Sequence, residues 1–377
     1  MTATPKEKDM DHLPRAVVLG AGASRSVSYA HEREQPSPLD SDFFDLLNRL
    51  EPRTEDVAAV QFVRKQIQTL PHDYRRSMER SFYTLQLRAY MAEKLEATHN
   101  SGPSDDEIVA NFARCIQALL RSAHGKEFCK HHNALLSPLG RGDTVISFNY
   151  DLVVERAVRK IASTRRATFG EWVYGLAEKP TEYKLPAILK LHGSSNWRLP
   201  IEDKKFEVLT SDWEDFDDSP GYRGHSGTGT IFPIFLPFWD KLIERGPWRQ
   251  LWTDCLARLE KTGTLVVWGY SLPPTDIKAQ QLFTLGLSGR RFRLCVIDPS
   301  PATRDRWREI SPASGLWCRN RSTDRRRRDR SGGEISFRLV RGSSLLRGYA
   351  LLLRRSLCAP PQGASTCRSA HPEIARE

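Results

Sequence analysis

The chain has 377 residues, enough to bury the core of one large domain or two modest ones, and its 39% hydrophobic content suits a globular protein. The formal net charge of +11 suggests nucleic acid until it is mapped: residues 318–377 hold 14 Arg, no Lys and five acids (net +9), leaving 43 basic and 41 acidic residues (net +2) in the rest. The body therefore gives no electrostatic reason to expect nucleic acid, and no run of about 18 apolar residues marks a membrane span. Residues 1–13 form a polar leader without the apolar core of a signal peptide, so a cytoplasmic location is expected.

Ala16-Val17-Val18-Leu19 reads as a short strand running into Gly20-Ala21-Gly22-Ala23-Ser24. Strand, glycine turn and helix suggest a phosphate-binding corner, in which glycines admit a phosphate to the backbone. The third glycine of the dinucleotide fingerprint is missing, and an ordinary strand–helix turn is the competing reading. Residues of about 36–136 read as a helical insertion. Ser104-Asp105-Asp106-Glu107 resembles a capping box ahead of Ile108, Phe112, Ile116, Leu119 and Leu120, an apolar stripe at helical spacing. Asp40–Leu50 and Arg76–Ala97 have similar amphipathic character.

The α/β pattern then resumes. Thr144–Phe148 predicts a strand, Leu152–Ala162 a helix and Ala187–Leu191 a strand, while polar residues 198–230 predict a hairpin with a mobile loop. Trp248, Trp252, Cys255, Leu256 and Leu259 mark a helix, broken at Gly263 before the strand Thr264–Trp268. A Pro-rich turn, Gly269-Tyr270-Ser271-Leu272-Pro273-Pro274-Thr275-Asp276, follows. A last strand, Phe292–Ile297, ends in Asp298, either a ribose-binding acid or a turn-initiating residue before Pro299.

The alternation predicts an α/β, Rossmann-like, mostly parallel sheet with helices on both faces and an inserted helical subdomain. Two strands end in polar groups, at Asn149-Tyr150-Asp151 and at His192. In open α/β sheets ligands sit outside the carboxyl ends of strands, so these residues can face one ligand. Helix capping by Asn149 or Asp151, and a satisfied core His192, are the plainer alternatives.

Cys115, Cys129, Cys255, Cys295, Cys318, Cys358 and Cys367 are odd in number and lack Cys-x-x-Cys spacing, which argues against a disulfide framework or a zinc ribbon. Cys129, His131 and His132 are metal-ligand types without the spacing or fourth ligand of a structural zinc site; no metal is expected. The tail 318–377, with its run Arg325–Arg328, is read as disordered or as translation in a shifted frame, in preference to a basic arm contacting nucleic acid.

Taken in order, Gly20–Ser24, Asp42-Phe43-Phe44, Asn149-Tyr150-Asp151, Lys190-Leu191-His192-Gly193, Gly269–Asp276 and Asp298 resemble the sirtuin-like NAD-binding family, over roughly residues 14–302 within a domain spanning 14–317. The resemblance is greatest to the bacterial branch that acts as an NAD hydrolase in anti-phage defence. It implies that Gly20, Ala21, Gly22 and Ser24 cradle the diphosphate of NAD, with Asp42 also in the binding set. Asn149 lies beside the nicotinamide ribose, Asp151 holds the carboxamide, and His192 is the catalytic His. Gly269 and Ser271 line the diphosphate and adenosine-ribose side, and Asp298 takes a ribose role. Phe44 replaces the Arg of the deacylases' Asp-Phe-Arg, and the zinc cysteines are missing, which puts acyl-lysine recognition in doubt.

The expected activity is NAD⁺ hydrolysis to nicotinamide and ADP-ribose, with NAD as substrate. The alternatives are protein deacylation or ADP-ribosyl transfer, and a non-catalytic nucleotide-binding scaffold. Expected partners are NAD⁺, further copies of the chain in a homo-oligomer, and a defence protein such as an ATPase.

Overall fold

Five apolar runs lie side by side as parallel strands: β1 (Arg15–Leu19), β2 (Thr144–Ser147), β3 (Ala187–Lys190), β7 (Thr264–Trp268) and β8 (Arg293–Ile297). The structure, a computed structural model, describes residues 12–33, 35–95, 102–124, 128–200, 207–208, 230–231, 246–310 and 316–317. The arginine-rich stretch 318–377, most of the polar leader and most of the expected hairpin loop lie outside the described residues.

A sixth parallel strand, β9 (Leu316–Trp317), extends the edge, giving the order β3-β2-β1-β7-β8-β9. Val17, Val18, Leu19, Val145, Ile146, Ile188, Leu265 and Val267 are essentially inaccessible. This is the pattern of strands covered on both faces, and each such side chain contributes about 1.5–3 kcal/mol of hydrophobic stabilisation. The expected α/β sheet is therefore present. A second, antiparallel set joins β4 (Trp197–Pro200) to β5 (Glu207–Val208) and β6 (Thr230–Ile231).

Strand order places the site. From β1 the chain builds outward through β2 to β3, then returns to β1's other side for β7 and β8. The order reverses between β1 and β7, and the carboxyl ends beside that reversal form the ligand crevice of open α/β sheets. Gly20, Asn149, His192, Gly269 and Asp298 all lie just past carboxyl ends of the five strands.

Between β1 and β2 run α1 (Ala21–Arg25), α2 (Phe43–Arg49), α3 (Val57–Gln68), α4 (Met78–Lys94), α5 (Asp105–Ala123) and α6 (Lys130–Leu136). Ser104 Oγ accepts the Glu107 N–H at 3.2 Å, starting α5 where the capping residues place it, and the stripe from Ile108 to Leu120 is buried. Helices α2 to α5 share a core built on Phe43, Leu47, Val63, Phe82 and Phe112, and Tyr150, just past β2, packs against it. The helical block thereby touches the crevice directly. After β2 come α7 (Val153–Arg165), α8 (Gly246–Leu259) before β7, α9 (Ile277–Leu287) and α10 (Pro301–Glu309). No helix among the described residues is long and apolar enough to cross a membrane.

Candidate active site

The glycine turn at the end of β1 is locked to the turn at the end of β7. Gly20 N–H donates to the Trp268 carbonyl at 3.1 Å and Gly22 N–H to the Gly269 carbonyl at 2.9 Å. A Cβ on Gly20 would stand 2.5 Å from both the Gly269 oxygen and Tyr270 Cα, and one on Gly22 2.8 Å from Gly269 Cα. Gly269 has φ +63°, and its Cβ would meet Ala23 N at 2.2 Å. The three glycines are thus explained by backbone-to-backbone approach before any ligand is considered. Of Gly20, Ala21, Gly22 and Ser24, only Ala21 is exposed.

A buried polar chain begins under this turn. Asn149 Nδ2 donates to the Gly20 carbonyl and to Ser24 Oγ, both at 2.8 Å. The carbonyl accepts only, which fixes the orientation of the amide and leaves Oδ1 as its acceptor. Ser24 Oγ donates to Asp151 Oδ2 at 2.5 Å, while Asp151 Oδ1 accepts the N–H of Val153, the first residue of α7, at 3.0 Å. Both Asp151 oxygens therefore already accept bonds, one of them from the first residue of α7. Lys190 Nζ, fully buried, binds the Asp151 carbonyl at 2.5 Å and Glu155 Oε1 at 3.1 Å. Burial works against ionising Asp151, but the neighbouring His124 and Lys190 and the bonds from Ser24 and Val153 outweigh it, so its carboxyl lies below the usual carboxylate range.

The other half of the site surrounds His192. Its Nε2 lies 2.8 Å from Asp276 Oδ2, with the two side chains 3% and 0% exposed. Tyr270 OH donates to the same oxygen at 2.9 Å. Phe148 stands edge-on to the imidazole at 4.8 Å between centroids and stacks on Tyr270 at 3.9 Å. Tyr150 stacks on the imidazole at 6.3 Å. Burial, with the Asp276 charge adding to it, pushes the Tyr270 phenol well above its ordinary range, so it remains a donor. Trp307 Nε1 holds the Tyr270 carbonyl at 3.0 Å. Leu272, two residues on, has φ +50°, a costly conformation for a branched side chain. The helical block meets the same loop where Thr275 Oγ1 donates to Glu79 Oε2 at 2.6 Å.

The remaining sequence candidates have other partners. Asp42 pairs with Arg25 at 2.8 Å and accepts the Leu39 N–H at 2.8 Å, tying down the connection after α1. Asp298 Oδ1 accepts the Ser300 N–H at 2.8 Å, the turn-initiating arrangement. Ser271 is exposed. Cys129 Sγ lies 3.1 Å from His132 Nδ1, and His131 instead contacts the Ser26 carbonyl at 3.1 Å. Among the described residues no group of three or more His, Cys, Asp or Glu could hold a metal ion. Asp276, Tyr270, Phe148 and Lys190 are members of the cluster to which the sequence alone gave no role, although Lys190, Tyr270 and Asp276 stand within its motifs.

His124 sits behind Asp151, 1% exposed, with Nδ1 3.1 Å from Tyr29 OH and Nε2 buried without a partner. Burial brings it down to about 4, with Asp151 pulling the other way. The folded value lies below the unfolded one, so the unfolded chain takes up the proton first. Stability is complete above pH 6.5 and declines as pH falls toward 4, by about 3 kcal/mol in all. Denaturant unfolding at pH 7.5 and 4.5 is expected to show this loss in the wild type and a smaller one in His124→Gln. Equal losses would exclude His124 as the source.

Comparison with solved structures brings up Sir2 enzymes. One, from a study of the mechanism and regulation of Sir2 enzymes, is 14% identical, covering 82% of this chain and 88% of that chain with a TM-score of 0.36. A mutant Sir2 homologue in complex with ADP-ribose is 12% identical, covering 95% and 100%, with a TM-score of 0.37. A Sir2 homologue in complex with NAD is 12% identical, covering 95% and 97%, with a TM-score of 0.38. No family model and no curated protein sequence matches the chain. At such identities and TM-scores, residue roles rest on the site geometry.

Proposed function

We propose that the chain is an NAD⁺ hydrolase that cleaves the nicotinamide–ribose bond. The observation that carries this reading is the convergence, at a sheet reversal, of a glycine corner with two constrained polar groups: Asn149, tied to Gly20 and Ser24, and His192, tied to Asp276. A dinucleotide suits such a crevice, since its diphosphate can approach the turn at Ala21 while its ribose meets the strand ends.

The chemistry asked of these residues is modest. As the glycosidic bond breaks, its electron pair leaves with nicotinamide and positive character develops at the ribose anomeric carbon. A water oxygen bonds to that carbon and gives up a proton. Asn149 Oδ1 orients the water or a ribose hydroxyl, and His192 accepts the proton. Asp151 acts from behind, fixing Ser24 and through it Asn149. The products are nicotinamide, ADP-ribose and a proton.

The further assignment to bacterial anti-phage defence, as a toxic effector held silent until a homo-oligomer or a partner ATPase triggers it, follows the resemblance of the motifs alone. The test is mass spectrometry of nucleotides after incubating purified protein with NAD⁺, with and without the product of a neighbouring gene. Equimolar nicotinamide and ADP-ribose are expected. NAD⁺ left intact under both conditions would favour a binding scaffold, and consumption only with an acylated peptide would favour deacylation.

A further inference from the structure

The proposed chemistry gives Asp276 no task, yet its placement is specific. It ends the run Gly269–Asp276, is fully buried, and uses its two oxygens differently. Oδ1 accepts the Ala279 N–H at 3.3 Å and caps α9, and the Asp276 carbonyl accepts the Gln280 N–H. Oδ2 faces away from the helix and takes His192 Nε2 at 2.8 Å and Tyr270 OH at 2.9 Å. A helix cap requires only the first oxygen, a task Ser, Thr or Asn performs as well. The second oxygen needs another explanation.

We infer that Asp276 is the positioning residue for His192, holding the ring in its Nε2–H tautomer so that Nδ1 is the nitrogen that takes the proton. This rests on the hydrolase reading above. An ionised carboxylate only accepts, so the nitrogen facing it must carry hydrogen, and the lone pair of the neutral ring is then on Nδ1. When Nδ1 gains a proton, the imidazolium that forms is already paired with a negative charge, beside the rings of Phe148 and Tyr150, with Tyr270 OH on the same carboxylate. Tyr270 keeps the carboxylate from turning away. Among the described residues, titratable groups near the ring include Asp276 and Tyr270 from the β7–α9 loop, Tyr150 from the end of β2, and Glu79 of α4, whose charge acts on both phenols.

The experiment compares the wild type with Asp276→Asn and Asp276→Ser in the full chain. Both variants keep a good cap for α9 and remove the charge facing Nε2. The first readout is the ¹⁵N NMR titration of His192, which needs no NAD⁺. It is expected to show Nε2–H in the wild type, and loss of that tautomer with a pKa lower by at least about one unit in both variants. The second is turnover of NAD⁺: kcat is expected to fall on the order of 10⁴-fold, the scale seen when a His loses its orienting carboxylate, with KM changed less than about threefold. The acid limb of the kcat profile should move to lower pH with the NMR value.

An unchanged His192 tautomer and pKa in either folded variant would overturn the proposal and leave Asp276 as a helix cap. An altered tautomer with unchanged kcat would equally overturn the positioning role. Should the wild type leave NAD⁺ intact while the NMR dependence holds, the hydrolase reading fails and the Asp276–His192 pairing stands.

Discussion

Asn149→Ala is expected to lower kcat for NAD⁺ cleavage by about 10²–10³-fold, the loss typical of removing one preorganised polar group from a reacting centre. The substitution removes Oδ1, the acceptor proposed to orient water or ribose, and the Nδ2 bonds to the Gly20 carbonyl and Ser24 Oγ. A stability cost of about 1–3 kcal/mol accompanies the loss of these two buried bonds, although the Gly20 carbonyl keeps the Ala23 N–H and the Ser24 hydroxyl keeps Asp151. Steady-state kinetics beside a denaturant melt separates the two effects. Folded Asn149→Ala with more than about a tenth of wild-type kcat would remove Asn149 from the reacting centre.

Gly269→Ala is expected to be the most damaging single methyl group in the site. The residue's φ of +63° disfavours any side chain, and the added Cβ would lie 2.2 Å from Ala23 N and 2.4 Å from Gly22 C, both backbone atoms. Relief requires the β1 and β7 turns to separate, which breaks the Gly22–Gly269 bond. A loss of about 3–5 kcal/mol follows from strain and clash together. Gly142→Ala is the control: its φ is +93°, but nothing lies within 4 Å of the added carbon. Strain alone makes that change cost about 1 kcal/mol. Equal urea midpoints for the two variants would show that the clash at Gly269 is absorbed by small shifts.

The sheet was legible because parallel strands buried on both faces are written as compact apolar runs, and Ala16–Leu19, Thr144–Phe148, Ala187–Leu191 and Thr264–Trp268 each became one with ends shifted by a residue at most. Helix α5 was legible from the Ser104 cap and its stripe. Helices α9 and α10 were less so. Asp276 and Ser300 cap them, but each follows a Pro-containing turn, and in α9 the exposed Ile277 and Leu285 blur the buried stripe of Ala279, Leu282, Phe283, Gly286 and Leu287.

At the site, the sequence brought forward the groups that end strands, because strand ends are visible as apolar-to-polar steps. It could not show what those groups bind across the fold. Asn149 reaches Gly20 over 129 positions and Ser24 meets Asp151 over 127. His192 and Asp276 are 84 positions apart, and only the crossover from β3 to β7 brings them together. Asp42 and Asp298 show the converse: acids in suggestive motif positions whose bonds are local to a connection or turn.

The interlocked turns bear on what the glycine corner signifies. Steric exclusion at 2.2–2.8 Å acts on Gly20, Gly22 and Gly269 whether or not a nucleotide ever binds. A chain of this architecture that bound no nucleotide would still need all three to close its sheet. The glycine corner therefore speaks for the fold, and evidence of an activity has to be sought at Asn149, His192 and Asp276.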